Sequence, residues 1–196
     1  AGNEINGLTL GGVGAGTTLD YIEVISNADD GVEFFGGTAS IKHVVTAFCG
    51  DDSFDYDEGW RGYGQFWCTV QEEGEGDRGG EHDGGTDPED GLPYAHPVIY
   101  NATYMGQGVD AGRRALTLRD NAGGEYHNSI FYNWGKGVDI ENLASGEDSY
   151  ARFENNEIAF AGNIFDGCTG LGLDATAADL FKITMGSGWA SSEDST

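Results

Sequence analysis

The chain has 196 residues, with 34 acidic and 9 basic side chains and a formal charge of −25. Such a surface repels phosphate backbones and anionic lipid, whose binding requires Lys and Arg, and no apolar run reaches membrane-spanning length, so neither nucleic acid nor membrane insertion is expected. Three cysteines at irregular spacing exclude a disulfide framework and a zinc knuckle, while 12% aromatic residues and a clear periodicity argue against disorder.

The first segment, Ile5-Asn-Gly-Leu-Thr-Leu10, already reads as a strand, and Leu19–Val24 reads as a second. From there a short step recurs: Val32-Glu33-Phe34, Phe54-Asp55-Tyr56, Gly80-Glu81-His82, Leu116-Thr117-Leu118, Val138-Asp139-Ile140 and Leu171-Gly172-Leu173. The first residues of these steps lie 22, 26, 36, 22 and 33 positions apart, a 22-residue unit with insertions of 4, 14, 0 and 11 residues. Further strands fit the same units, at Ile41–Thr46, Ile130–Tyr132 and Ile164–Asp166, with Gly, Asn, Asp, Ser and Thr in the turns between.

Short strands at this period, with no helix-period run between them, predict a solenoid whose units bury their apolar faces only by stacking. The expected fold is all-β, a parallel β-helix of about six to seven coils forming one domain over residues 1–196. Two larger insertions, about 82–95 and 144–155, read as loops, and Ala175–Lys182 reads as a short capping helix. The N-terminal strand carries no evident cap. This points to a piece of a longer protein, or to a neighbouring subunit covering Ile5, Leu8 and Leu10.

Stacked strands align their residues in columns. One turn column runs Asp29, Asp51, Asp77, Arg113, and the next runs Asp30, Asp52, Arg78, Arg114, Lys136. The strand columns beside them carry Glu33, Asp55 and Glu81, then Asp57, Asp83 and Arg119. Like charges opposite each other on adjacent strands are destabilising, so these acids need compensation. One source is the charge ladder of Arg78, Arg113, Arg114 and Lys136. Another is Ca²⁺, which takes about 6–8 oxygens from clustered carboxylates and carbonyls. Its candidate ligands are Asp29, Asp30, Asp51, Asp52, Asp55, Asp57 and Asp77, densest in Gly50–Glu58. The alternative is a solvated acidic face screened by salt.

Other chemistry is thinly supported. The four histidines show no zinc spacing, and Gly11–Gly16 lacks the Lys-Ser/Thr of a phosphate loop. His82, with Gly80, interrupts an apolar column and predicts a local bulge or opening. Cys68 falls in an inward column as a buried thiol, within reach of a bridge to Cys49 one coil earlier. Phe35, Trp60, Tyr63, Trp67, Tyr104, Trp134 and Trp189 read mostly as core or turn packing, with a sugar-stacking or subunit-contact surface as the alternative for some.

The blocks Asn3–Thr18, Asn27–Thr38 and Gly50–Gly59 resemble a group of secreted bacterial right-handed β-helix proteins of the cell-surface, type IX-secreted kind. The resemblance implies a right-handed helix and an extracellular or cell-surface location, and it assigns no catalytic residue. The leading expectation is a non-catalytic structural or adhesive protein that binds Ca²⁺ on its acidic face and stacks end to end into a fibre. The alternative is a carbohydrate-active protein acting on a polysaccharide: a Ca²⁺-dependent lyase, a glycoside hydrolase or a glycan-binding module.

Overall fold

A computed structural model describes residues 5–143, 148–168 and 181–185. The strands come coil by coil. The first coil holds β1 (Leu8–Gly11) and β2 (Leu19–Ile25), the second β3 (Val32–Phe35) and β4 (Ile41–Ala47), the third β5 (Phe54–Asp57) and β6 (Tyr63–Val70). The fourth holds β7 (Gly80–Asp83), β8 (Val98–Tyr100) and β9 (Thr103–Met105), and the fifth β10 (Arg114–Arg119), β11 (Gly124–His127) and β12 (Ile130–Tyr132). The sixth adds β13 (Lys136–Asn142), a one-turn helix α1 (Ser149–Glu154), β14 (Ile158–Ala161) and β15 (Ile164–Asp166), and β16 (Phe181–Met185) opens a seventh.

All pairing is parallel and joins each strand to its counterpart one coil away. One sheet runs β1-β3-β5-β7-β10-β13-β16, and the second is built from the remaining strands. The molecule is a right-handed parallel β-helix. Its register is the one read from the repeat: Val32 opposite Phe54, Phe54 opposite Gly80, Gly80 opposite Leu116, Leu116 opposite Val138.

The second sheet turns a corner at one recurring backbone conformation. Tyr21, His43, Phe66, Asn101 and Asn128 all have φ between 50° and 57°, uncommon for residues with a Cβ. In the early coils the strand bends there without breaking. Later it splits, so that β6 pairs with β8 before the corner and with β9 after it. On the outside of the corner the rings of Tyr21, His43 and Phe66 stack at 4.6 and 5.0 Å.

The core is a set of ring stacks along the axis. Phe34 lies on Trp60 at 3.8 Å, Phe54 on Trp67 at 4.3 Å, and Phe131 between Tyr104 and Phe165 at 4.8 and 4.5 Å. Each buried indole N–H donates to a carbonyl: Trp60 to Ala39, Trp67 to Ile41, Trp134 to Tyr104. Of the seven aromatics weighed between packing and a surface role, Trp60, Trp67, Tyr104 and Trp134 are core, Phe35 and Tyr63 are exposed, and Trp189 lies outside the described residues.

Several expectations need correction. No bulge forms at His82, where pairing from β5 through β7 to β10 is unbroken. The imidazole stacks on Tyr56 at 3.9 Å, and its Nδ1 meets the Tyr126 hydroxyl at 2.6 Å. Gly80 makes the room, since a Cβ there would sit 2.3 Å from His82 Nε2. Cys68 is half-exposed between Val45 and Thr103, because the inward positions of β6 are Trp67 and Thr69, and Cys49 and Cys68 are free thiols. The next strand of the first sheet is β16, with Phe181 opposite Val138, whereas Leu171–Leu173 lies outside the described residues. Of the helix expected at Ala175–Lys182, Phe181 and Lys182 are strand and the rest lies outside the described residues, while an α-helix N-capped by Asp148 forms in the second insertion.

Candidate metal centre

Charge concentrates on the outer side of the first sheet and the turns that feed it. Strand alternation points these side chains away from the apolar core, yet coils stacked about 4.8 Å apart bury them against one another. Glu33 is 8% exposed, Asp55 6% and Asp52 2%.

In the first three coils, acid faces acid. Asp30, Glu33 and Asp55 each bring one carboxylate oxygen within 4.8 Å of the others, as do Asp29, Asp30 and Asp51, and Asp51, Asp52 and Asp77. Backbone amides pin two of these groups. Asp30 Oδ1 accepts the Asp52 N–H at 2.9 Å, and Asp52 Oδ1 accepts the Arg78 N–H at 2.5 Å. The Asn6 amide donates to Glu33 Oε2. Asp55 Oδ1 is buried and has no hydrogen-bond partner. Leaving such an oxygen without a donor costs about 1–3 kcal/mol, more when it is charged.

The electrostatics agree. Burial, then the charges of Asp30 and Asp57, pushes Glu33 up to about 8. Burial raises Asp30 to about 7, against the stabilising Asp52 amide, and raises Asp51 to about 6 with help from Asp77. Burial, then the Glu81 charge, drives Asp52 and Asp55 well above the usual carboxylate range. Acids raised in this way keep their protons to higher pH, and a bound cation would displace those protons, since metal ligation requires the deprotonated form.

From the fourth coil on, arginine supplies the compensation. Arg78 meets Asp77 at 2.6 Å, Glu81 at 2.9 Å and Asp52 at 3.6 Å, and its Nε donates to Thr117. Arg113 pairs with Asp77 at 2.6 Å, and Arg119 with Asp83 at 2.7 Å and Glu81 at 2.9 Å. Arg114 pairs with Asp139, both buried, and Lys136 stands opposite Arg114 in register. Burial alone would lower the Arg78 and Arg119 pKa values. The carboxylates outweigh it, Asp52, Glu81 and Asp77 at Arg78, and Asp83 and Glu81 at Arg119, so both are held above the usual value.

Of the seven aspartates proposed as ligands, Asp29, Asp30, Asp51, Asp52, Asp55 and Asp77 fall into the three clusters. Asp57 stands apart and accepts the Thr86 hydroxyl. Asp77 is already shared by Arg78 and Arg113. Glu33 is the residue the ligand set left out. Its signal was in the sequence, as the residue one coil before Asp55 in the same column. Ile5, Leu8 and Leu10 run from exposed through half-buried to buried at the first rung of the core. Beside the flank lies a polar groove of about 540 Å³, lined by Asp51, Asp77, Arg78, Glu81, Arg113 and Arg119 among others.

A family model described as a pectate-lyase-like beta helix domain matches residues 1–188. No curated protein and no solved structure matches the chain. With that match over nearly all of its length, and with the same architecture in its sheets, the chain belongs to the pectate-lyase-like β-helix domain family.

Proposed function

We propose that this chain is a non-catalytic extracellular β-helix, structural or adhesive, that binds Ca²⁺ on its acidic flank and stacks end to end. One observation carries the cation: Asp55 Oδ1 is buried without a donor where Glu33 and Asp30 also converge. Ca²⁺ accepts several carboxylate and carbonyl oxygens in flexible geometry, which suits such a cluster. Extracellular water, salty and calcium-containing, also suits a chain of charge −25.

Stacking is supported by apolar side chains in the first and last full coils among the described residues. Leu8, Val13, Leu19, Ile22 and Val24 are only partly buried at one end, and Phe160 and Phe165 are only partly buried towards the other. A head-to-tail contact between such ends does not close and grows a filament. Sedimentation in millimolar Ca²⁺ should show association that rises with protein concentration. A strictly monomeric species at high concentration removes this part.

The groove favours a second reading, an acidic polysaccharide site. Elimination there would need an arginine able to take up a proton. Arg78, Arg113 and Arg119 each face carboxylates, and Arg78 and Arg119 are held protonated by them. Release of unsaturated products from an acidic polysaccharide, lost on Arg113→Ala, would replace the non-catalytic reading.

A further inference from the structure

The two insertions that interrupt the repeat meet at one corner of the helix, away from the acidic flank. There they flank an open cavity of about 620 Å³. Its floor is a ladder of turns from four successive coils. His96 N–H donates to Trp60 O at 3.0 Å, Gly123 N–H to Ala95 O at 2.9 Å, and Gly124 N–H to Glu157 O at 2.8 Å. The first insertion contributes Leu92, Pro93 and Tyr94 to the wall, and the end of the second contributes Arg152 and Asn155. Arg152 joins the two, with its guanidinium 5.0 Å from the centre of the Tyr94 ring.

The charge here runs against that of the molecule. Arg61, Arg152 and His96 line the cavity, and Glu157 is the acid among its lining residues. Glu157 is engaged by Arg152 at 3.0 Å, and His96 faces Glu125 at 3.6 Å. Arg61 is exposed and donates only to Gly59 O, at 3.2 Å, with no carboxylate in ion-pair range among the described residues. In a chain with 34 acids and 9 bases, a guanidinium kept clear of carboxylates beside an apolar wall is a specific arrangement. Its planar fork matches a carboxylate bidentately, and a mostly apolar cleft of this size suits a small ligand body.

We propose that this corner cavity binds a small organic carboxylate with an apolar or aromatic body, its charge on Arg61 and its body against Leu92, Pro93 and Tyr94. Three probes separate the terms: phenylacetate, its neutral amide and acetate. Phenylacetate should shift amide resonances of the cavity residues, including His96 and Gly123, with saturation. Phenylacetamide and acetate should bind at least about tenfold more weakly. Arg61→Ala, at an exposed position, should fold with unchanged dispersion and lose phenylacetate binding by a similar factor, a change of about 1.4 kcal/mol. Equal binding of acid and amide, binding indifferent to Arg61→Ala, shifts located elsewhere, or no saturation up to millimolar probe would each overturn the assignment.

Discussion

At Asp55, a carboxylate oxygen without a donor separates two environments by the sign of one substitution. Asp55→Asn replaces a carboxyl that burial already holds protonated in calcium-free buffer, and removes a ligand in calcium. The variant should melt at the same or higher temperature than the parent with chelator, and show less than half the parent's Ca²⁺-induced rise. An unchanged calcium response excludes Asp55 as a ligand. Gly80 supplies a second test of the residue scale. Gly80→Ala drives a Cβ against the His82 ring at 2.3 Å and overpacks the core, for an expected loss of about 1–3 kcal/mol in denaturant unfolding. The acids were legible in the sequence because the period fixed their columns. Their burial was not: facing away from a core ordinarily means facing water, and only coil-on-coil stacking hides Glu33 and Asp52. His82 misled for a related reason. A polar residue in an apolar column reads as a break until Tyr56 and Tyr126 are seen to pack and bond it.

Strands were the easiest elements to read, since β-branched and aromatic residues alternate within them and the same step returns in the next coil. Cys68 shows where that failed. A left-handed residue at Phe66 shifts the inward face within β6, and an alternation counted through the corner assigns the wrong side. After β13 the described strand of the first sheet is β16, with Phe181 opposite Val138, whereas the step read at Leu171 lies outside the described residues. Within the first sheet, β10 and β13 are joined by a buried ion pair, Arg114 with Asp139. Arg114→Ala removes the guanidinium from a carboxylate that is fully buried, and should destabilise the protein by about 3–5 kcal/mol. Urea unfolding measures this directly. A loss below about 1 kcal/mol would mean that the pair behaves as an exposed one.

Stability of the whole molecule should depend on pH in opposite ways with and without the ion. Asp51, Asp30 and Glu33 have folded-state pKa values of about 6, 7 and 8, above the values near 4 of unfolded carboxylates. Between the two values the folded state binds more protons than the unfolded one. Their contribution is therefore complete below about pH 4 and lost as pH rises through about 6 to 8. In chelator, the melting temperature should fall from pH 5 to pH 8.5. Saturating Ca²⁺ should flatten or reverse that fall, adding about 2.7 kcal/mol at a hundredfold excess over Kd. A melting temperature indifferent to chelator at pH 8 counts against the ion.

The division between acid-facing coils and arginine-bridged coils bears on the length of the rod. A stack of coils unfolds piecewise when its segments differ in stability, because each touches only its neighbours. Chelation should open β1 through β5 to hydrogen exchange while β10 and β13, locked by Arg114 and Asp139, stay protected. Three coils at about 4.8 Å each amount to about 14 Å of rod. Ambient calcium would then set how far the ordered shaft extends through these coils.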